Sequence, residues 1–205
     1  MMINISEKNF EKYSRQIMME KIGVNGQKKI MKSSICIIGC GGLGTTTAQY
    51  LAMTGVGKIL LIDFDNIELS NLNRQISFLE TDIGKNKAEI LKKNILKINA
   101  ELDVSIIKKK ITKRNINLFL DKSQFIIDCS DNFETRFLIN EYCFKKKKIL
   151  VSAALQNFDV QVSSFKAWAS KKNPCYECIF PKFSDADILN CDQMGIVSPI
   201  AGFGG

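Results

Sequence analysis

The chain has 205 residues, is 45% hydrophobic and carries a formal net charge of +8 from 29 basic and 21 acidic residues. That is long enough for one sizeable α/β domain and too apolar for a disordered chain. It contains no histidine, which excludes Ser/His/Asp and Cys/His catalysis, a histidine base and any mixed Cys/His metal site within these residues.

In chain order, residues 6–32 read as a polar, helical N-terminal arm. Ser34–Ile38 is a short, partly β-branched apolar run and reads as the first strand. The glycine turn Gly39–Gly44 follows, then a helix over Thr45–Thr54 and a second strand at Lys58–Asp63. Lys85–Asn99 carries Ala88, Leu91, Ile95 and Ile98 at helical spacing. Val104–Ile107 reads as the third strand, Asn115–Leu120 as a short helix and Phe125–Cys129 as the fourth strand. Glu134–Phe144 is helical, Ile149–Ala153 is the fifth strand and Val160–Phe165 alternates like a further one. Strands alternating with helices imply crossovers, hence a Rossmann-like, mostly parallel sheet flanked by helices. Ligands of such sheets bind in the crevice at the carboxyl ends of the strands.

No apolar run reaches the ~18–20 residues of a membrane span, and the N-terminus lacks an apolar signal-type stretch. A cytoplasmic location and no membrane contact are expected. The lysine runs Lys108–Lys110 and Lys145–Lys148 read as solvated surface. They lack interleaved aromatics, so no nucleic-acid partner is expected.

Gly39, Gly41 and Gly44 fall at the G-x-G-x-x-G positions, with Gly42 between them. The loop leaves a strand and opens a helix, where close backbone approach and free N–H groups suit a phosphate. Asp63 lies 19 residues beyond Gly44, placed to accept from ribose hydroxyls. The loop by itself does not choose between NAD, FAD and ATP. The stretch Asp63–Gln75 favours ATP, because it is polar and ends in Asn71 and Arg74, the latter a planar fork for phosphate oxygens. Lys87 offers a mobile positive charge at the start of the next helix. Asp131, in Asp128-Cys129-Ser130-Asp131-Asn132, offers the hard oxygen that Mg²⁺ prefers, or else it caps the helix that follows. Asp65 and Glu68 read as loop-capping groups, with Asp65 also available to metal or ribose.

Together, Tyr13-Ser14-Arg15-Gln16-Ile17, the loop Gly39–Gly44, LIDFD, LSNLNRQ, Lys87, DCSDN and Cys175-x-x-Cys178 resemble the E1-like (ThiF/MoeB/HesA) adenylyltransferase family. The similarity runs from about Phe10 to the last residue. It implies one ThiF-type nucleotide-binding domain over 1–205 that uses ATP and Mg²⁺ to adenylate the C-terminal carboxylate of a ubiquitin-like sulfur-carrier protein ending in Gly-Gly, releasing pyrophosphate. The family's thiamine-pathway member is the nearer resemblance and its molybdopterin-pathway member the alternative. A dinucleotide-dependent oxidoreductase and a non-catalytic binding module are the remaining readings. The resemblance also implies a homodimer in which Arg15 reaches the partner subunit's ATP. Gly42, Asp63, Ser70, Asn71, Arg74, Lys87 and Asn132 fall at nucleotide-contacting positions, and Asp131 at the magnesium carboxylate. No general base is needed, since a carboxylate nucleophile is already ionised near neutral pH.

Seven cysteines, an odd number, argue against a disulfide framework. Cys175 and Cys178 are half of a Cys₄ zinc site. The family supplies the other pair from a C-terminal segment that these residues lack. Cys191 is expected near the active site, where the resemblance implies a covalent link to the activated carrier. Cys36 and Cys129 read as core residues of strands.

Overall fold

The computed structural model describes residues 5–181 and 195–205. Six strands, β1 (Ser34–Ile38), β2 (Lys58–Ile62), β3 (Asp103–Ile107), β4 (Phe125–Asp128), β5 (Ile149–Gln156) and β6 (Asp159–Phe165), form one sheet in the order β3-β2-β1-β4-β5-β6. The first five are parallel and β6 is antiparallel to β5. The order reverses between β1 and β4, so the crevice between their carboxyl ends is the expected ligand site.

Alternation along β1 divides the core in two. Ile35 and Ile37 face α4 (Gly42–Thr54) and α5 (Lys87–Ile98), where they meet Ala48, Ala52, Ala88, Leu91 and Ile95. Cys36 and Ile38 face α6 (Ile116–Leu120) and α7 (Phe133–Lys145), where they meet Leu120, Ile139 and Cys143. Strands covered on both faces read as unbroken apolar runs, which is why β1 carries no polar alternation. Each isoleucine buried here contributes roughly 1.5–3 kcal/mol relative to exposure. A smaller cluster, Leu43, Ala153, Leu155 and Ala201, fastens α9 (Ser198–Gly204) against α4 and β5.

Several boundaries differ from those expected. Helix α4 starts at Gly42 rather than Thr45, because Gly41 is its N-cap. Strand β5 continues to Gln156 and turns into β6 through Asn157 at φ 53°, a conformation that asparagine tolerates.

The arm is helical, in three pieces: α1 (Glu7–Lys12), α2 (Ser14–Ile17) and α3 (Gly23–Lys32). Buried Tyr13 interrupts the first two, and Gly23 at φ 55° opens the third. Tyr13 packs on the far end of α4. There Gly55, at φ 85°, ends the helix in left-handed conformation, and a Cβ on it would lie 2.5 Å from the Tyr13 ring. The last carbonyls of α4 are taken by side chains. Gln27 donates to Thr54 O at 3.0 Å, Gln16 to the same oxygen at 3.5 Å, and Asn99 to Ala52 O at 3.1 Å.

Candidate functional site

Two of the loop glycines are demanded by backbone crowding. Gly39 has φ 89°, and a Cβ there would lie 2.6 Å from Cys129 O. A Cβ on Gly44 would meet Gly39 O at 1.9 Å. Gly44 therefore locks the loop from behind, buried, while Gly39, Gly41 and Gly42 line a cleft. Asp63 stands beside them just past β2. Its Oδ2 accepts from Cys40 N at 2.6 Å and its Oδ1 from Asp65 N at 2.8 Å. Burial raises its carboxyl above the ordinary value, although both amide bonds pull the other way. Each oxygen keeps a second lone pair for a ligand. Burial also pushes the Cys40 thiol well up, which leaves it a core residue.

The loop from Asp63 to α5 supplies the cations. Asn71 is buried, with Oδ1 accepting from Glu68 N at 3.1 Å. Ser70 is exposed and donates to Glu68 Oε2 at 3.4 Å. Arg74 extends along the loop, Nη1 donating to Ser70 O at 2.8 Å and Asn73 Oδ1 at 3.0 Å. Lys87, buried at the first position of α5, pairs with Asp65 at 3.2 Å. Asn86 caps α5 and reaches back to the carbonyls of Asp63 and Asp65 at 3.2 and 3.0 Å. That brace fixes where Lys87 sits.

Past β4 the arrangement differs. Asp128 is 1% exposed, and its Oδ1 accepts from Ser130 N at 3.0 Å and Ser130 Oγ at 2.6 Å. Arg136, also buried, lies 3.8 Å from Asp128 Oδ2 and donates to Ser152 Oγ at 3.2 Å, Ala153 O at 3.0 Å and Ser130 O. Sequence reading missed Arg136. Its signal was a lone cation inside an otherwise half-apolar helix, eight residues after a strand-terminal aspartate. The network holds the turn that presents Asp131 to the cleft mouth, exposed. Asn132, not Asp131, caps α7: its Oδ1 accepts from Thr135 N at 2.9 Å while Nδ2 donates to Asp131 Oδ1 at 3.0 Å. Cys129 is just beyond β4 rather than inside it and lines the cleft, its thiol pushed by burial to about 12.

The cleft measures about 900 Å³. It brings together Gly39, Gly41, Gly42, Asp63, Asp65, Ser70, Asn71, Arg74, Lys87, Asp131 and Asn132, nearly the whole expected nucleotide set. Lys109 and Lys110 line it too, although the run containing them read as solvated surface. The loop after β3 folds them over the cleft, with Lys110 3.9 Å from Glu134. Arg15 is not in the cleft; it is exposed on α2.

Cys191 lies outside the described residues. Cys175 and Cys178 approach to 3.4 Å between sulfurs on α8 (Tyr176–Ile179) and its N-cap. Burial raises the Cys175 thiol, but hydrogen bonds with Cys178, Asn140 and neighbouring amides outweigh it and leave it below the ordinary value. Among the described residues no group of three His, Cys, Asp or Glu side chains converges on a metal position. Two thiols do not make the four ligands of structural zinc, so the described residues do not complete that site. Asp131 suits one oxygen ligand of a phosphate-bound Mg²⁺, which takes few protein ligands. No helix among the described residues is long and apolar enough to cross a membrane.

A parallel sheet with its order reversing at a glycine loop, and a cationic, amide-lined cleft at that point, define a Rossmann-like α/β protein built to hold a phosphorylated ligand. Residues 13–205 match the ThiF family, and the chain belongs to that family. It is 33% identical over 199 residues to the sulfur carrier protein ThiS adenylyltransferase of Escherichia coli, covering 97% of this chain and 78% of that protein. It is 36% identical to the adenylyltransferase and sulfurtransferase MOCS3 of Xenopus laevis, covering 93% of this chain and 42% of that protein. The chain thus spans less than half the length of the MOCS3 relatives it matches. A crystal structure of E. coli MccB with ATP is similar at TM-score 0.77 and 28% identity, covering 98% of this chain and 68% of that one.

Proposed function

We propose that the chain is an ATP-dependent adenylyltransferase that charges the C-terminal glycine of a ubiquitin-like sulfur-carrier protein in thiazole formation for thiamine. One observation carries this reading: the glycine loop, Asp63, Asn71, Arg74, Lys87 and Asp131 face one cleft. A hydride-transfer site has no evident need of that cation set. The match over 78% of an E. coli ThiS adenylyltransferase supports the carrier assignment.

In this reading Asp63 accepts from the ribose hydroxyls and the loop amides cradle phosphate. The carrier's carboxylate attacks the α-phosphorus. A P–O bond forms to the carboxylate, the bond to the β-phosphate breaks, and pyrophosphate leaves. Asn71, Arg74 and Lys87 hold the phosphate oxygens on which charge accumulates, and no proton needs to move. Asp131 would hold Mg²⁺, which when bound supplies further positive charge. Arg15 acts on the cleft of a partner subunit in a homodimer, and Cys191 takes the activated acyl group as a thioester, with AMP as leaving group.

Identities of 33–36% to MOCS3 proteins favour a second reading, a carrier of the molybdopterin pathway. ATP–pyrophosphate exchange with each type of carrier decides. Exchange dependent on the thiamine carrier is expected, and exchange only with the other carrier transfers the assignment. No exchange with either, alongside binding of a nicotinamide or flavin cofactor, would sink the proposal.

A further inference from the structure

Among the described residues that line the cleft, Gln75 is the one with a fully buried side-chain polar atom that has no partner. It lines the cleft yet is 3% exposed, and its Oε1 has no hydrogen-bond partner among the described residues. Its neighbours differ: Asn71 Oδ1 is spent on Glu68 N, and Arg74 Nη1 on Ser70 O. The Gln75 backbone is fixed, its N–H donating to Asn71 O at 3.0 Å and its carbonyl accepting from Phe78 N at 3.1 Å. A buried, unpaired amide oxygen is destabilising, and an apolar side chain of similar length would fit such a place better. A fold that keeps such a group uses the residue for something besides stability; the oxygen itself would need a donor, and it is the Nε2 end that lies against the cleft loop.

That end shows which ligand group the residue serves. A first side-chain carbon at Gly41 would lie 3.7 Å from Gln75 Nε2, so Nε2 stands over the loop glycine. Gly41 is the N-cap of the 13-residue α4 and has no side chain to occupy the free amides there. Nε2 and those amides are all donors facing one small space. What completes it is an acceptor oxygen, and the helix terminus favours an anionic one. Asp63 holds Cys40 N, one residue before Gly41. The phosphate attached directly to a ribose at Asp63 is therefore the one that arrives at Gly41.

Resting on the nucleotide reading above, we infer that Gln75 binds the α-phosphoryl group, donating from Nε2 to a non-bridging oxygen. That is the phosphorus the carboxylate attacks. Charge on its oxygens rises during attack, so the bond tightens as the reaction proceeds. Gln75 stays neutral and transfers nothing.

The test is calorimetric titration of the full chain with adenosine, AMP and Mg-ATP, together with melting temperatures, for the parent, Gln75→Met and Gln75→Glu. Gln75→Met is expected to weaken AMP and ATP by about tenfold, the worth of one hydrogen bond to a charged group. Adenosine binding should hold, and melting should occur at or above the parental temperature. Gln75→Glu should weaken AMP at least as much, because it sets a negative charge against the phosphate. Unchanged AMP affinity, equal losses for adenosine and AMP, or loss of ATP with AMP spared would each overturn the assignment. If neither variant folds, Gly41→Ala decides. Its added carbon meets Nε2 at ordinary contact distance and takes the oxygen's place, so AMP binding should fall without a change in melting, and intact AMP binding overturns the assignment. A parent chain that binds neither AMP nor ATP takes the nucleotide reading down as well. A parent that binds both, with indifferent variants, removes Gln75 alone.

Discussion

The ends of β2 and β4 carry the same local device and use it differently. At the end of β4 and just past the end of β2 stands a buried aspartate whose Oδ1 accepts the amide two residues on: Asp65 N for Asp63 and Ser130 N for Asp128. At β2 the second oxygen reaches the glycine loop, no cation among the described residues forms an ion pair with the carboxylate, and burial raises its pKa. At β4 the second oxygen is taken by Ser152 Oγ, and Arg136 lies alongside. One aspartate keeps its remaining lone pairs beside the cleft. The other is closed into a scaffold whose product is the position of Asp131. A strand-terminal aspartate in this fold is therefore a turn-former first, and whatever occupies its second oxygen decides whether it also binds.

Removing the scaffold cation should break the contrast most severely. Arg136→Leu leaves Asp128 charged, buried and unpaired, and should cost about 3–5 kcal/mol in urea unfolding. A loss within experimental error would mean that the pair does not support the turn. Lys87→Ala attacks the open side instead. Its pairing with Asp65 is half in water on the aspartate side, so stability should move by less than about 1 kcal/mol. Exchange activity should nevertheless fall by roughly 10²–10³-fold, as when one fixed transition-state donor is removed. Equal small effects on both would remove Lys87 from the site.

The smallest effect sharpens the comparison through pH. Asp63 is protonated more readily folded than unfolded, so the penalty for burying its charge is absent below the ordinary value of 3.8 and grows as pH rises through the raised one. Asp63→Asn should remove that pH dependence, read as a flatter stability–pH curve than the parent's. Parallel stability–pH curves for parent and variant would contradict the raised value.

Much of this was legible in the residues. The apolar runs of β1 and β4, the glycine spacing and Asp63 are local signals, and local signals placed them. Lys87 and Asn71 became interpretable through the similarity of their surroundings to a known family. Arg136, Gln75 and Lys109 were not legible, because their meaning lies in what tertiary folding sets opposite them: a buried carboxylate, an empty glycine seat, the far wall of a cleft. The arm reads as helical, but its break at Tyr13 does not, for a related reason. Nothing near Tyr13 in sequence announces that Gly55 leaves room for its ring.

That ring has a further consequence. Tyr13 and Gln16 tie the arm to the back of α4, while the front of the same helix is the phosphate loop. Thirteen helical residues separate the two by about 20 Å, more than one arginine side chain can span. Arg15 is thus kept from the nucleotide of its own molecule by a rigid rod of fixed length. On the proposed homodimer reading, where Arg15 serves a second copy, dilution rather than any change to the cleft itself should be what switches the activity off.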